Sequence, residues 1–193
     1  MNTRAIAMTI ALTGIAIVLN PAISGVGLPF PPIPRLIYNL WEIVIIAAFL
    51  LMGFKSGISV ALLNSVFLFA VYPGPYNPFY LGNAVSAASM MVGIFIADRL
   101  TRKNSQEERS FGVKKIALST SLAMLVRVVV MAPIMFAILH YGFIAPKVPD
   151  AYTIAVVLPL QAVFNITIAL YTVPVGFLLA RVVSRNLKVG NKI

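Results

Sequence analysis

No cysteine occurs among the 193 residues, which excludes a disulfide framework, thiolate metal sites and a cysteine nucleophile. Acids are nearly as scarce. Glu42, Asp98, Glu107, Glu108 and Asp150 are all the carboxylates, and they offer no acid-base pair at helical spacing. One histidine, His140, is too little for a metal site with those scattered acids. There is no phosphate loop, so an enzyme is not expected, and no catalytic residue, metal or cofactor is assigned. Charged residues make up 10% of the chain, against about a quarter in soluble domains.

What is abundant is apolar. Hydrophobic residues reach 60% and the mean hydropathy is +0.96, which makes this a polytopic membrane protein. The net charge of +10 would suggest nucleic acid in a soluble protein, but the cations lie in loops and at the C-terminus, with no basic face interleaved with aromatics. No nucleic-acid partner is expected. The solvent implied is the lipid bilayer of the cell membrane.

Apolar runs predict an all-α bundle of six transmembrane helices in one domain, with spans at about 6–19, 36–54, 57–71, 79–97, 116–141 and 152–180. The proline-rich stretch 21–35 reads as an extended, ordered loop, and 72–78 as a turn. A cleaved signal peptide ending near Ala22-Ile23-Ser24 is the competing reading of the first run; retention is expected. The polar segment 98–115 carries six of the fifteen Lys and Arg residues. Placing it in the cytoplasm, with both termini, puts twelve cations inside and only Arg35 and Lys147 outside, as the positive-inside rule requires.

The remaining cation, Arg127, falls within the fifth span. Ionisable and amide groups at such a depth must face the bundle interior or a wet cavity. Helical periodicity places Gln161, Asn165, Ile168 and Thr172 on one stripe of the sixth span, and Met124, Arg127, Met131 and Met135 on one stripe of the fifth. Interhelical hydrogen bonding is the plain explanation of such groups; a ligand pocket is the functional one. In the first span Ala7, Ala11 and Gly14 leave a groove where another helix can approach, either inside the bundle or from a partner protein.

The sequence resembles the substrate-binding S components of energy-coupling factor (ECF) vitamin importers, riboflavin group. Ala7 and Ala11 stand at the spacing of that family's Ala-x-x-x-Ala motif. Tyr38-Asn39-Leu40-Trp41-Glu42-Ile43, Leu51 to Gly57, Pro73-Gly74-Pro75 with Gly82-Asn83, and Val156-Val157-Leu158-Pro159-Leu160-Gln161-Ala162-Val163 carry the rest. The resemblance implies a vitamin pocket open to the outside beneath the loop joining spans one and two. It also implies a transmembrane coupling subunit docked on Ala7, Ala11 and Gly14, and two ABC-type ATPase subunits.

The substrate-binding residues expected are Gln161, Asn165, Arg127, Asn83, Phe164 and Trp41. The sequence departs from the riboflavin pattern at Gln161, where asparagine is expected, at Phe164, where lysine is, and near Met131, where a polar residue is. A different, anionic vitamin would account for Arg127 better than riboflavin does. A small membrane channel or scaffold is the alternative from another class.

Overall fold

The computed structural model describes residues 3–72, 77–102, 112–141 and 149–187. In chain order it contains α1 (Thr3–Val18), α2 (Pro21–Ser24), the strands β1 (Leu28–Phe30) and β2 (Ile33–Tyr38), then α3 (Trp41–Met52), α4 (Phe54–Val71), α5 (Asn77–Arg102), α6 (Val113–His140), α7 (Asp150–Tyr152) and α8 (Leu158–Leu187). A π-helical turn, Thr153–Val157, joins α7 to α8. Among the described residues α4, α5, α6 and α8 are long and apolar enough to cross a membrane, and α1 and α3 are shorter apolar helices. The chain is a multi-pass, all-α membrane protein.

α3 is the centre of the bundle. Ten of its twelve residues are buried, and α1, α4, α5 and α8 all pack on it. Its hydrophobicity has no sided pattern, as befits a helix surrounded by protein on all faces. Gly53, at φ +89°, turns the chain directly from α3 into α4, a conformation that side chains with a Cβ rarely adopt.

α5 and α6 cross at close range. A Cβ added at Gly93 would stand 2.5 Å from the Ala123 Cα and 2.6 Å from the Leu122 carbonyl oxygen. Both are backbone atoms that cannot swing aside, and close backbone approach at small residues is how membrane helices associate. Gly93→Ala is therefore expected to destabilise the purified protein by about 1–3 kcal/mol, the usual cost of overpacking. Thermal denaturation in detergent checks this, and an unchanged melting temperature would refute the crossing.

Several element boundaries differ from expectation. The stretch 21–35 is not simply extended: it forms α2 and most of an antiparallel hairpin pairing Leu28 with Tyr38 and Pro29 with Ile37. Proline is tolerated because a two-stranded ribbon consists only of edges. Leu36, Ile37 and Tyr38, assigned to the second span, belong to β2; apolar composition alone does not separate a strand from a helix start.

The polar segment 98–115 is shorter as a loop than expected, because α5 runs to Arg102 and α6 starts at Val113. Lys115 donates to Asp98 Oδ1 at 2.7 Å across the two helix ends. The sixth span opens with the π turn where a plain helix is expected. Pro159 follows that turn, and its ring would clash with the carbonyl four residues back in a regular helix, a conflict that the wider turn relieves. Residues 73–76, 103–111, 142–148 and 188–193, with parts of the expected outer turns, the basic loop and the tail, lie outside the described residues.

Candidate substrate site

Four helices and the hairpin converge on a cavity of about 400 Å³. From α8 come Gln161, Phe164, Asn165 and Ile168, at the three- and four-residue spacings that share one helical face. From α6 come Arg127, Met131, Ile134, Met135 and Ile138, from α5 Tyr80, Gly82, Asn83 and Ser86, and from α3 Trp41 and Glu42. Asn20, Pro21, Ala22 and the β2 residues Arg35, Leu36 and Ile37 close it from the side of the hairpin. All six residues expected from the sequence, Gln161, Asn165, Arg127, Asn83, Phe164 and Trp41, therefore line one space. Its size falls within the roughly 300–1,000 Å³ of small-molecule sites, and its walls are mostly apolar with a few placed polar groups, as such sites are.

The polar part of the wall is organised by one ion pair. Arg127 and Glu42, each only 2% exposed, are salt-bridged, with Nη1 on Oε2 and Nη2 on Oε1 at 3.2 Å. Arg127 Nε donates to Asn165 Oδ1 at 2.8 Å, and Nη1 also contacts the Met90 sulfur at 3.2 Å. Asn165 Nδ2 donates to the Gln161 carbonyl at 3.0 Å. One guanidinium thus ties α3, α5, α6 and α8 together.

Asn165 consequently spends its side-chain oxygen on Arg127, while the Gln161 amide makes only a long contact, 3.4 Å from Nε2 to the Met131 carbonyl oxygen. Met131, the third departure from the riboflavin pattern, thus meets Gln161, the first, through its backbone.

The hairpin is fastened to α8 at one end. Tyr38 Oη and Thr167 Oγ1 are 2.9 Å apart, and Tyr171 Oη donates to the Asn39 carbonyl at 2.6 Å while accepting from the Asn39 N–H at 3.2 Å. Phe30, Tyr38 and Phe164 form a ring cluster with centroids 5.1–6.1 Å apart, within the range of favourable aromatic pairs. Phe164, where the riboflavin pattern expects lysine, is thereby shared between the cavity wall and the seat of the hairpin.

At the other face of the bundle, α1 turns Thr9, Thr13 and Ala16 inward. The threonine hydroxyls are satisfied by the carbonyls of Ala5 and Thr9, at 2.8 Å each. Ala7, Ala11 and Gly14 face outward and are exposed, and nothing lies within 4 Å of a Cβ built on Gly14. Among the described residues nothing buries these three within the bundle, one of their two readings. His140, assigned to the outer end of the fifth span, stands 2.8 Å from Asp150 and stacks on Phe136, outside the cavity.

Sequence reasoning missed Glu42 as the partner of Arg127. The signal was present, since these are the lone acid and the lone cation lying within the apolar spans, and buried charges are rare unless paired. Asn20 was missed for a different reason, because one asparagine before a proline carries no pattern.

No family model and no curated protein matches the sequence. A solved structure does, described as "Structure and mechanism of the S component of a bacterial ECF transporter". The two agree with a TM-score of 0.71 over 97% of this chain and 99% of that one, at 18% identity. The fold is that of an ECF S component. Identity so low carries the S-component fold and nothing about the ligand.

Proposed function

We propose that this chain is the substrate-capture subunit of an ECF-type importer and that its ligand is riboflavin. It binds the vitamin from outside and delivers it through a transmembrane coupling subunit driven by two ABC-type ATPase subunits. It is a binding protein, not an enzyme. The observation that carries this reading is the cavity itself. Residues picked for ligand contact from four separate stretches of sequence meet around one space of ligand size, closed on one side by the hairpin.

A flavin has a flat ring suited to walls such as Trp41, Phe164, Met131 and Ile134, and a hydroxylated chain suited to Gln161, Asn83 and Arg127. The positive-inside orientation, with both termini and the basic segment cytoplasmic, turns the hairpin side of the cavity to the exterior.

Titrating the purified, ligand-free protein with riboflavin is expected to quench flavin fluorescence with a sharp, one-to-one end point. Gln161→Ala is expected to weaken binding by about two- to tenfold, the loss of one ordinary hydrogen bond. Absence of any riboflavin binding, with another vitamin co-purifying, would discard riboflavin and keep the capture role.

A further inference from the structure

The Arg127–Glu42 pair decides what sign of charge the cavity wall presents. An unpaired guanidinium at this depth would attract anions, because its planar fork matches the two oxygens of a carboxylate. In this chain the fork is already filled from within: Nη1 and Nη2 both go to Glu42, and Nε goes to Asn165. Glu42 Oε1 is held in turn by Asn39 Nδ2 at 3.3 Å, so the carboxylate is fixed from a second side. Both Glu42 and Arg127 line the cavity.

We propose that Glu42 is a specificity-determining residue: by occupying Arg127 it makes the cavity select uncharged ligands and turn away carboxylates and phosphates. This rests on the capture role proposed above and narrows its substrate class. A carboxylate brought to Arg127 finds the fork taken and a like charge beside it, and such juxtaposition is how binding sites suppress wrong partners. A carbonyl or hydroxyl group meets no such repulsion, and can accept from the Nη2 hydrogen left over after Glu42 is served. Arg35 also reaches the cavity, but from an exposed position on β2, where water and salt screen its charge.

The test uses ligand pairs that differ only in an acid and its amide: flavin-10-acetic acid and flavin-10-acetamide, nicotinic acid and nicotinamide, biotin and biotinamide. Each is titrated against the purified protein and against Glu42→Gln, with thermal stabilisation as readout and flavin quenching where it applies. For whichever pair binds, the unaltered protein is expected to prefer the amide by about tenfold or more, the scale of one like-charge contact. Glu42→Gln is expected to close or invert that preference by gaining affinity for the acid.

An acid bound as tightly as its amide by the unaltered protein overturns the proposal, and that comparison stands even if the variant does not fold. A folded Glu42→Gln that keeps the full preference for the amide overturns it too. If only a non-flavin pair binds, and prefers the amide, riboflavin falls while the role of Glu42 stands. If neither riboflavin nor any pair stabilises either protein, and no other vitamin co-purifies, the capture reading falls and takes this one with it.

Discussion

Arg127→Met is expected to be among the most damaging single changes to this protein, lowering its stability by about 3–5 kcal/mol and abolishing ligand binding with it. Two effects combine. Methionine removes every hydrogen bond that joins α6 to α3 and α8 through Arg127, and it leaves the Glu42 carboxylate, 2% exposed, without its countercharge. Glu42→Leu is expected to do similar harm by stranding the cation.

The two together remove both charges, and replacing a buried pair with apolar residues of similar volume is often neutral. The double variant is therefore expected to melt close to the unaltered protein, far above either single variant. A thermal double-mutant cycle in detergent measures the coupling directly. Additive single effects would mean that the two groups do not act as a pair.

The second large effect is expected at α1. Ala7→Trp with Ala11→Trp is expected to reduce ATP-driven uptake to background and to prevent co-purification with the coupling subunits. Ligand binding by the isolated chain is expected to stay as it was. Both side chains face outward and are exposed, so an indole there points away from the bundle core and takes up the space that a partner helix would use. In lipid no hydrophobic force brings helices together, so association depends on close packing at small residues. Uptake and assembly assays with binding as the control decide the matter: normal assembly would show that partners dock elsewhere, and lost binding would give α1 a role inside the bundle.

Much of the bundle is legible from composition, because a bilayer imposes its own length and hydropathy on every crossing helix. α4, α5, α6 and α8 were found on that ground, with ends displaced by a few residues. The hairpin was not, since Pro29, Pro31, Pro32 and Pro34 forbid a helix without saying what replaces it. What fixes the hairpin is distant in sequence: Tyr38 against Thr167, and Asn39 against Tyr171.

The pocket residues of α6 and α8 were legible through periodicity, because polar groups in apolar helices point at something. Their pairing was not. Arg127 alone suggested an anionic ligand, and only the placement of Glu42, 85 residues earlier in sequence, shows the countercharge to be internal.

The shortness of α3 has a consequence for how ligand size can change. Twelve residues reach about 18 Å, well short of a hydrocarbon core of ~30 Å, so the central helix stops short of a full crossing, and its first residues, Trp41 and Glu42, share the cavity wall with the hairpin that precedes them. The binding volume is thus the length that α3 gives up. One added turn at Trp41 would intrude on that space by about 5 Å, and residues lost from the hairpin would shrink it from above, while the surrounding helices kept their contacts. Descendants of such a scaffold could move from large ligands to small ones by editing about twenty residues, 21 to 41, and leave the rest of the membrane architecture intact.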